Sequence, residues 1–244
     1  MAEPWEMLYA GLPKLGPGSD DATREALARL PRGDFKRVVD VGCGNGRQTL
    51  VLAQELDVPI DAIDLHQPFL DELTRRAEAA KVAALVRPIR MDMAELASTF
   101  SDIDLIWSEG AVYHLGFARA MGLVATVLRP DGCAAVSECT WLTDRPPEIA
   151  RNFFAAAYPA MATEDSNCRS AETAGLAVLD TFVLPHSAWT EGYYDLLEPR
   201  ARELLKHANP PVREVAREAL AEIEVFRVAG ASYGYVFYLL QRRP

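Results

Sequence analysis

Positive charge is scarce in this 244-residue sequence: 25 Lys and Arg face 35 Asp and Glu, a formal net charge of -10. Such a balance repels a phosphate backbone, so no nucleic-acid partner is expected. The one local basic cluster, Arg75, Arg76 and Lys81, reads as a solvated helix face. Cysteine is scarce too. Cys43, Cys133, Cys139 and Cys168 include no CxxC pair, which speaks against structural zinc, and no metal is expected. Free cysteines of this kind fit a reducing compartment. No stretch of about 18 apolar residues exists, so no membrane span is expected. The start, MAEPWEMLYAGLPKLG, lacks the basic and apolar regions of a signal peptide. These absences together predict a cytoplasmic protein. Internal repeats and low-complexity segments are missing as well.

What is present is a globular composition, 50% hydrophobic, in a chain long enough for one α/β domain with a modest elaboration. Residues 1–35 read as a short helix, the turn Gly16-Pro17-Gly18, and a second helix capped by Ser19 or Asp20. From residue 36 to 140, short apolar runs alternate with helical patterns. Strands are expected at 37–41, 60–64, 86–91, 103–107 and 133–138, and helices at 46–56, 68–80, 93–97 and 117–128. That alternation predicts a doubly wound, mostly parallel sheet with helices on both faces. Beyond 141 the pattern is less regular. Helices are expected at 148–158, 164–174, 191–207 and 212–228, with strands at 178–184 and 235–241. The predicted whole is a single α/β domain of seven strands, Rossmann-like, the last strand antiparallel, with added helices.

The first strand runs into Asp40-Val41-Gly42-Cys43-Gly44-Asn45-Gly46. Its glycines fall at every second position, and Arg47 stands where a dinucleotide-binding GxGxxG would continue. A pyrophosphate needs helix N-terminal amides and a close-packing third glycine. Small residues at 42, 44 and 46 instead leave room beside the backbone for a ligand without phosphate. Ligands of open α/β sheets bind at the carboxyl ends of the strands, where this loop lies.

Residues 38–46, VVDVGCGNG, resemble the first motif of class I S-adenosylmethionine-dependent methyltransferases. Later landmarks of that family follow in order. The resemblance implies that Asp64, with Leu65 after it, receives the ribose hydroxyls; a carboxylate offers paired acceptors for a vicinal diol. It implies that Asp92, flanked by Met91 and Met93, holds the adenine, though Asp92 also suits a helix cap. Asp40 would orient the loop and reach the methionine amino group. Gly42, Cys43, Gly44, Asn45 and Gly46 would line the cofactor with Glu109 and Gly110, and Ser108-Glu109-Gly110 ends the fourth strand, where the family places substrate-facing residues. Leu128-Arg129-Pro130-Asp131-Gly132 matches the family's turn before strand five. The stretches GPGS, IWSEGAVYHLGF and YGYVFYLLQ resemble a bacterial, small-molecule-type subgroup, of methyltransferase types 11 and 25. The implied cofactor is S-adenosyl-L-methionine and the implied product S-adenosyl-L-homocysteine.

The acceptor side is less explicit. Glu109 could meet the methionine, bind a cation or act as a base, and Tyr113 and His114 are the other candidate catalytic groups. Glu138 points toward the expected pocket. Trp141, Trp189, Tyr193 and Tyr194 either line it or pack the added helices. Asn152 and Phe153 are further pocket candidates, and Tyr9 with the GPGS turn could form a lid. The expected reaction is methyl transfer to a small molecule, neutral or cationic, by a monomer or a homodimer. The competing readings are a cofactor-binding module without catalysis and a nicotinamide-dependent oxidoreductase, which the GxGxG spacing disfavours.

Overall fold

The computed structural model describes residues 3–31 and 33–243; the extreme ends of the expected 1–35 and 141–244 segments, and Arg32, lie outside the described residues. Seven strands, β1 (Val38–Val41), β2 (Ile60–Asp64), β3 (Val86–Arg90), β4 (Ile103–Glu109), β5 (Leu128–Trp141), β6 (Leu176–Val183) and β7 (Tyr233–Arg242), form one sheet. Their order is β3-β2-β1-β4-β5-β7-β6. Pairings from β3 through β5 are parallel, and β7 runs antiparallel to both β5 and β6. The chain winds outward from β1 to β3 and returns on the far side of β1 as β4. The crevice between β1 and β4, at the carboxyl edge, is therefore the switch point where such folds bind ligands.

Because strand side chains alternate, each central strand feeds two cores. Val38, Leu105, Trp107, Ala135 and Phe237 face one. Val39, Val41, Ile106, Val136 and Tyr238 face the other. The helices are α1 (Pro4–Tyr9), α2 (Asp20–Arg29), α3 (Arg47–Leu56), α4 (Gln67–Ala79), α5 (Leu96–Thr99), α6 (Phe117–Val127), α7 (Glu148–Ala157), α8 (Glu164–Thr173), α9 (Ser187–Trp189), α10 (Asp195–Leu204) and α11 (Pro210–Ala229). Buried residues of α2, α3 and α4 cover the first face, and α5, α6 and α8 the second. The Ser19 side chain caps α2 by accepting from the Ala22 amide at 3.1 Å. α1 packs on α10 and α11, and α7 on α11, extending the first core beyond the sheet. No helix among the described residues is long and apolar enough to cross a membrane.

Two expected elements differ. The 128–132 turn lies inside β5: Leu128 already pairs with Ile103, and Asp131 takes φ 60 to turn the chain. Nine consecutive pairs with β7 then carry β5 on to Trp141, past the expected end at 138. The helix expected at 191–207 is broken. Glu191 is extended and Gly192 takes φ 69, separating α9 from α10. A Cβ on Gly192 would lie 3.7 Å from the Lys14 side chain and 3.9 Å from Pro13, so the turn packs against the N-terminal segment.

Candidate functional site

The loop after β1 owes its shape to hydrogen bonds and glycine geometry. The Gly42 and Cys43 amides both donate to the Ile63 carbonyl, at 2.9 and 3.0 Å, tying the loop to β2. Gly42, Gly44 and Gly46 all have positive φ, which disfavours any side chain there. Packing adds a second reason. A Cβ on Gly42 would lie 2.3 Å from the Ala111 Cβ, and one on Gly46 would lie 2.0 Å from Leu73 Cδ1. The room these glycines leave is thus filled largely by protein, and at Gly46 by α4 alone.

Beneath the loop, Asp40 is fully buried. It accepts from the Thr49 hydroxyl at 2.6 Å and from the Gln48 amide at 3.3 Å. Burial pushes its carboxyl up to about 7 against these hydrogen bonds. Asp40 does not line the cavity above; Gln48 does. It anchors α3 to the end of β1.

That cavity has a volume of about 700 Å³ and lies over the switch point. It collects Tyr9, Gly42, Cys43, Gly44, Asn45, Asp64, Leu65, Met91, Asp92, Met93, Glu109, Gly110, Tyr113 and His114 on one surface. Gly46, Glu138, Trp141, Trp189 and Tyr194 lie outside its lining. The three aromatic residues pack the added layer. Trp189 stacks on Phe226 at 4.8 Å, Trp141 meets Phe154 edge-on at 5.4 Å, and the Tyr194 hydroxyl donates to Glu222 at 2.6 Å. Tyr193 is buried beside Tyr194, their rings 4.9 Å apart, and Phe153 packs on Phe154. Asn152 is not in the lining either.

Two of the cavity acids are held by backbone amides and the third by side chains. Asp64 accepts from the Gly44 amide on one oxygen and the His66 amide on the other, both at 2.9 Å. Each oxygen keeps a lone pair for a ligand. Asp92 accepts from the Ala94 amide at 2.8 Å through Oδ1, so it does cap the short 3-10 turn Met93–Glu95. Glu109, at the end of β4, is the most engaged. It receives the Thr23 hydroxyl at 2.7 Å, the Trp107 indole N–H at 2.9 Å and an Arg47 guanidinium N–H. It thereby ties α2 and α3 to the sheet. Burial pushes His114 below the usual histidine range; its ring sits 3.9 Å from that of Tyr113.

Several lining residues escape sequence reasoning. Lys14 is 7% exposed, and its Nζ donates to the carbonyls of Gly18 and Ala188 at 2.6 and 2.9 Å. No carboxylate pairs with it among the described residues, and desolvation lowers it to about 8. Arg47 was marked only as the missing glycine, yet it lines the wall beside Glu109. Trp5 packs against His66 and Phe69 at 4.4 and 5.1 Å, and all three wall the cavity. The N-terminal segment is stitched down by Asn45 and Arg76, which both donate to the Leu12 carbonyl.

Comparison with known proteins agrees with this geometry. Residues 38–132 match the family model described as a methyltransferase domain. A trans-aconitate 2-methyltransferase of Azoarcus sp. (strain BH72) is 29% identical over 185 residues, 75% of this chain and 64% of the relative. A 27-O-demethylrifamycin SV methyltransferase of Amycolatopsis mediterranei (strain S699) is 28% identical over 48% of this chain and 43% of the relative. The chain thus spans less than two thirds of these curated relatives. The structure of a SAM-dependent methyltransferase from Thiobacillus denitrificans, in complex with S-adenosyl-L-homocysteine, shares the fold. Its TM-score is 0.83 at 22% identity, over 100% of this chain and 99% of that one. The motif order, the seven-stranded sheet and the methyltransferase-domain match over 38–132 agree with the resemblance to the class I S-adenosylmethionine-dependent methyltransferases.

Proposed function

We propose that the chain transfers the methyl group of S-adenosyl-L-methionine to a small-molecule acceptor. One observation carries this reading: Lys14, Asp64 and Asp92 line a single cavity at the switch point, each with unused capacity toward its interior. That set fits the cofactor, whose carboxylate needs a cation, whose ribose diol needs paired acceptors and whose adenine amine needs one more. Asp64 receives the ribose hydroxyls while the Gly44 and His66 amides fix its plane. Asp92 receives the adenine amine on the oxygen that Ala94 leaves free, and Met91 and Met93 flank the ring. Lys14 supplies the counter-charge for the carboxylate. Trp5, Tyr9, His66 and Phe69 exclude water from one side of the cavity.

When bound, the cofactor supplies an electrophilic methyl group on a positively charged sulfur. The protein's part is to align the acceptor with it, which lowers the barrier by several kcal/mol. Glu109 acts as a positioning residue, because its donors already occupy it. His114, whose pKa desolvation lowers, lies on the cavity wall beside Tyr113 as the group to accept a proton from an acceptor. Four free cysteines suit a reducing, cytoplasmic setting.

Turnover of methyl-labelled cofactor across a panel of small acceptors tests the reaction. Label is expected on an acceptor, with S-adenosylhomocysteine released; cofactor binding without transfer to any acceptor would favour a non-catalytic module. Lys14→Gln tests the orientation. It should weaken S-adenosylhomocysteine about tenfold and leave 5′-methylthioadenosine, which lacks the amino-acid end, unaffected. Equal losses for both ligands would contradict the placement of Lys14.

A further inference from the structure

Residues 4–18 form a strap along one wall of the cavity, which they line through Trp5, Tyr9, Lys14, Leu15, Gly16 and Pro17. The strap lies wholly before residues 38–132, the part that matches the methyltransferase domain. Side chains from elsewhere fix its course by donating to its carbonyls. Arg200 of α10 donates to Leu8 and Ala10, Asn45 to Leu12 at 2.9 Å, and Arg76 of α4 to Leu12 and Pro13, both at 2.7 Å. Leu8 and Leu12 are buried and anchor its apolar side. Two other strap residues meet the groups that hold Asp64, whose donors are the Gly44 and His66 amides. A Cβ on Gly44 would lie 2.9 Å from Leu15 Cδ1, so the Leu15 side chain packs directly on the Gly44 backbone. The Trp5 ring packs on that of His66 at 4.4 Å and on Phe69 at 5.1 Å, with His66 and Phe69 5.9 Å apart at the start of α4. The His66 imidazole makes no capping hydrogen bond to that helix, so ring packing holds it. Each residue that donates to Asp64 therefore carries one strap side chain against it.

A carboxylate receives a vicinal diol well only while its own donors hold it in place. Gly44 has φ 55, and a glycine backbone has little conformational preference of its own. Leu15 covers the side of Gly44 where a side chain would stand, and so limits that freedom. Trp5 restrains His66 in the same way from the far end of the strap. We propose that Trp5 and Leu15 are positioning residues for the cofactor's ribose: by packing on His66 and Gly44 they fix the two amides that orient the Asp64 carboxylate. This rests on the cofactor reading above. The ribose hydroxyls donate to Asp64, and neither strap residue has to touch them. The strap is thus part of the ribose site although it lies outside the matched domain. The coupling runs both ways. A bound ribose holds Asp64, Gly44 and His66 together and so holds the strap down, and a loosened strap loosens the ribose by the same factor.

Adenosine and 2′,3′-dideoxyadenosine differ only in the two hydroxyls that Asp64 receives, so the ratio of their affinities reads the ribose contact alone. The parent protein should bind adenosine about tenfold more tightly. Trp5→Ala and Leu15→Ala should each cut that ratio to about threefold or less, because the hydroxyls then meet a carboxylate that is no longer held. Trp5→Phe and Leu15→Met keep the packing and should restore it. A residue that only shields the cavity would weaken both nucleosides equally and leave the ratio as it was. The parent gives a second reading that needs no variant. At equal saturation, adenosine should slow trypsin cleavage after Lys14, in the middle of the strap, about threefold more than the dideoxy nucleoside does. An unchanged ratio in the folded alanine variants, or equal protection of Lys14 by the two nucleosides, would overturn the proposal. No preference for adenosine in the parent would instead overturn the cofactor reading, so the two failures are distinct.

Discussion

The cofactor cradle and the aromatic region behind Tyr113 treat buried acids in opposite ways. In the cradle every acid is held. Asp40 has two side-chain donors, Asp64 two backbone amides, and Glu109 three donors including a guanidinium. Behind Tyr113, Glu138 has none among the described residues and Glu222 has one tyrosine. The first arrangement is preorganised, so its geometry is set before any ligand arrives. The second keeps a desolvation cost in the folded protein.

Three substitutions can break or sharpen that contrast. The largest effect is expected in the cradle. Glu109→Ala leaves the Arg47 guanidinium, 13% exposed, with the Thr23 hydroxyl and a single, half-exposed carboxylate, Asp20. It should cost about 3–4 kcal/mol in urea denaturation. A loss below about 1 kcal/mol would show that Glu109 does not brace α2 and α3.

Behind Tyr113 the sign reverses with pH. Burial pushes Glu138 up to about 8, well above the usual glutamate value. The folded state therefore holds that proton more tightly than the unfolded chain does. The group's contribution is intact below about pH 4.5 and is lost as pH rises toward about 8. Glu138→Gln does not titrate, so it should gain on the parent by about 3 kcal/mol between pH 5 and pH 9. A pH-independent difference would mean that Glu138 is solvated or paired. The smallest effect is Tyr233→Phe. Removing an unpartnered hydroxyl should change ligand-free stability by less than about 1 kcal/mol, toward greater stability. A clear loss of stability would reveal a hydrogen bond.

The cradle was also the more legible half. Asp64 ends β2 and Asp92 follows β3, so their places could be counted from the alternation of strands and helices in the sequence. The glycine loop was legible, but not the packing behind it: the contacts of Gly42 with Ala111 and Gly46 with Leu73 join residues far apart in the chain. Lys14 and Trp5 gave no local signal, since Lys14 is held by the Ala188 carbonyl and Trp5 packs on His66 and Phe69, partners far apart in the chain. Trp141, Trp189 and Tyr194 were ambiguous for a related reason. Aromatic residues at a helical layer read alike whether they pack a core or line a pocket, and long-range packing decides between them.

The central claim is that the cavity between β1 and β4 binds the adenosyl cofactor through Asp64. Titration calorimetry with S-adenosylhomocysteine, on the parent protein and on Asp64→Ala, tests it most directly. The account predicts one site per chain, with affinity about 10–100-fold weaker in the variant, about 1–3 kcal/mol. Equal affinity in the two proteins, or no binding by the parent, would contradict it.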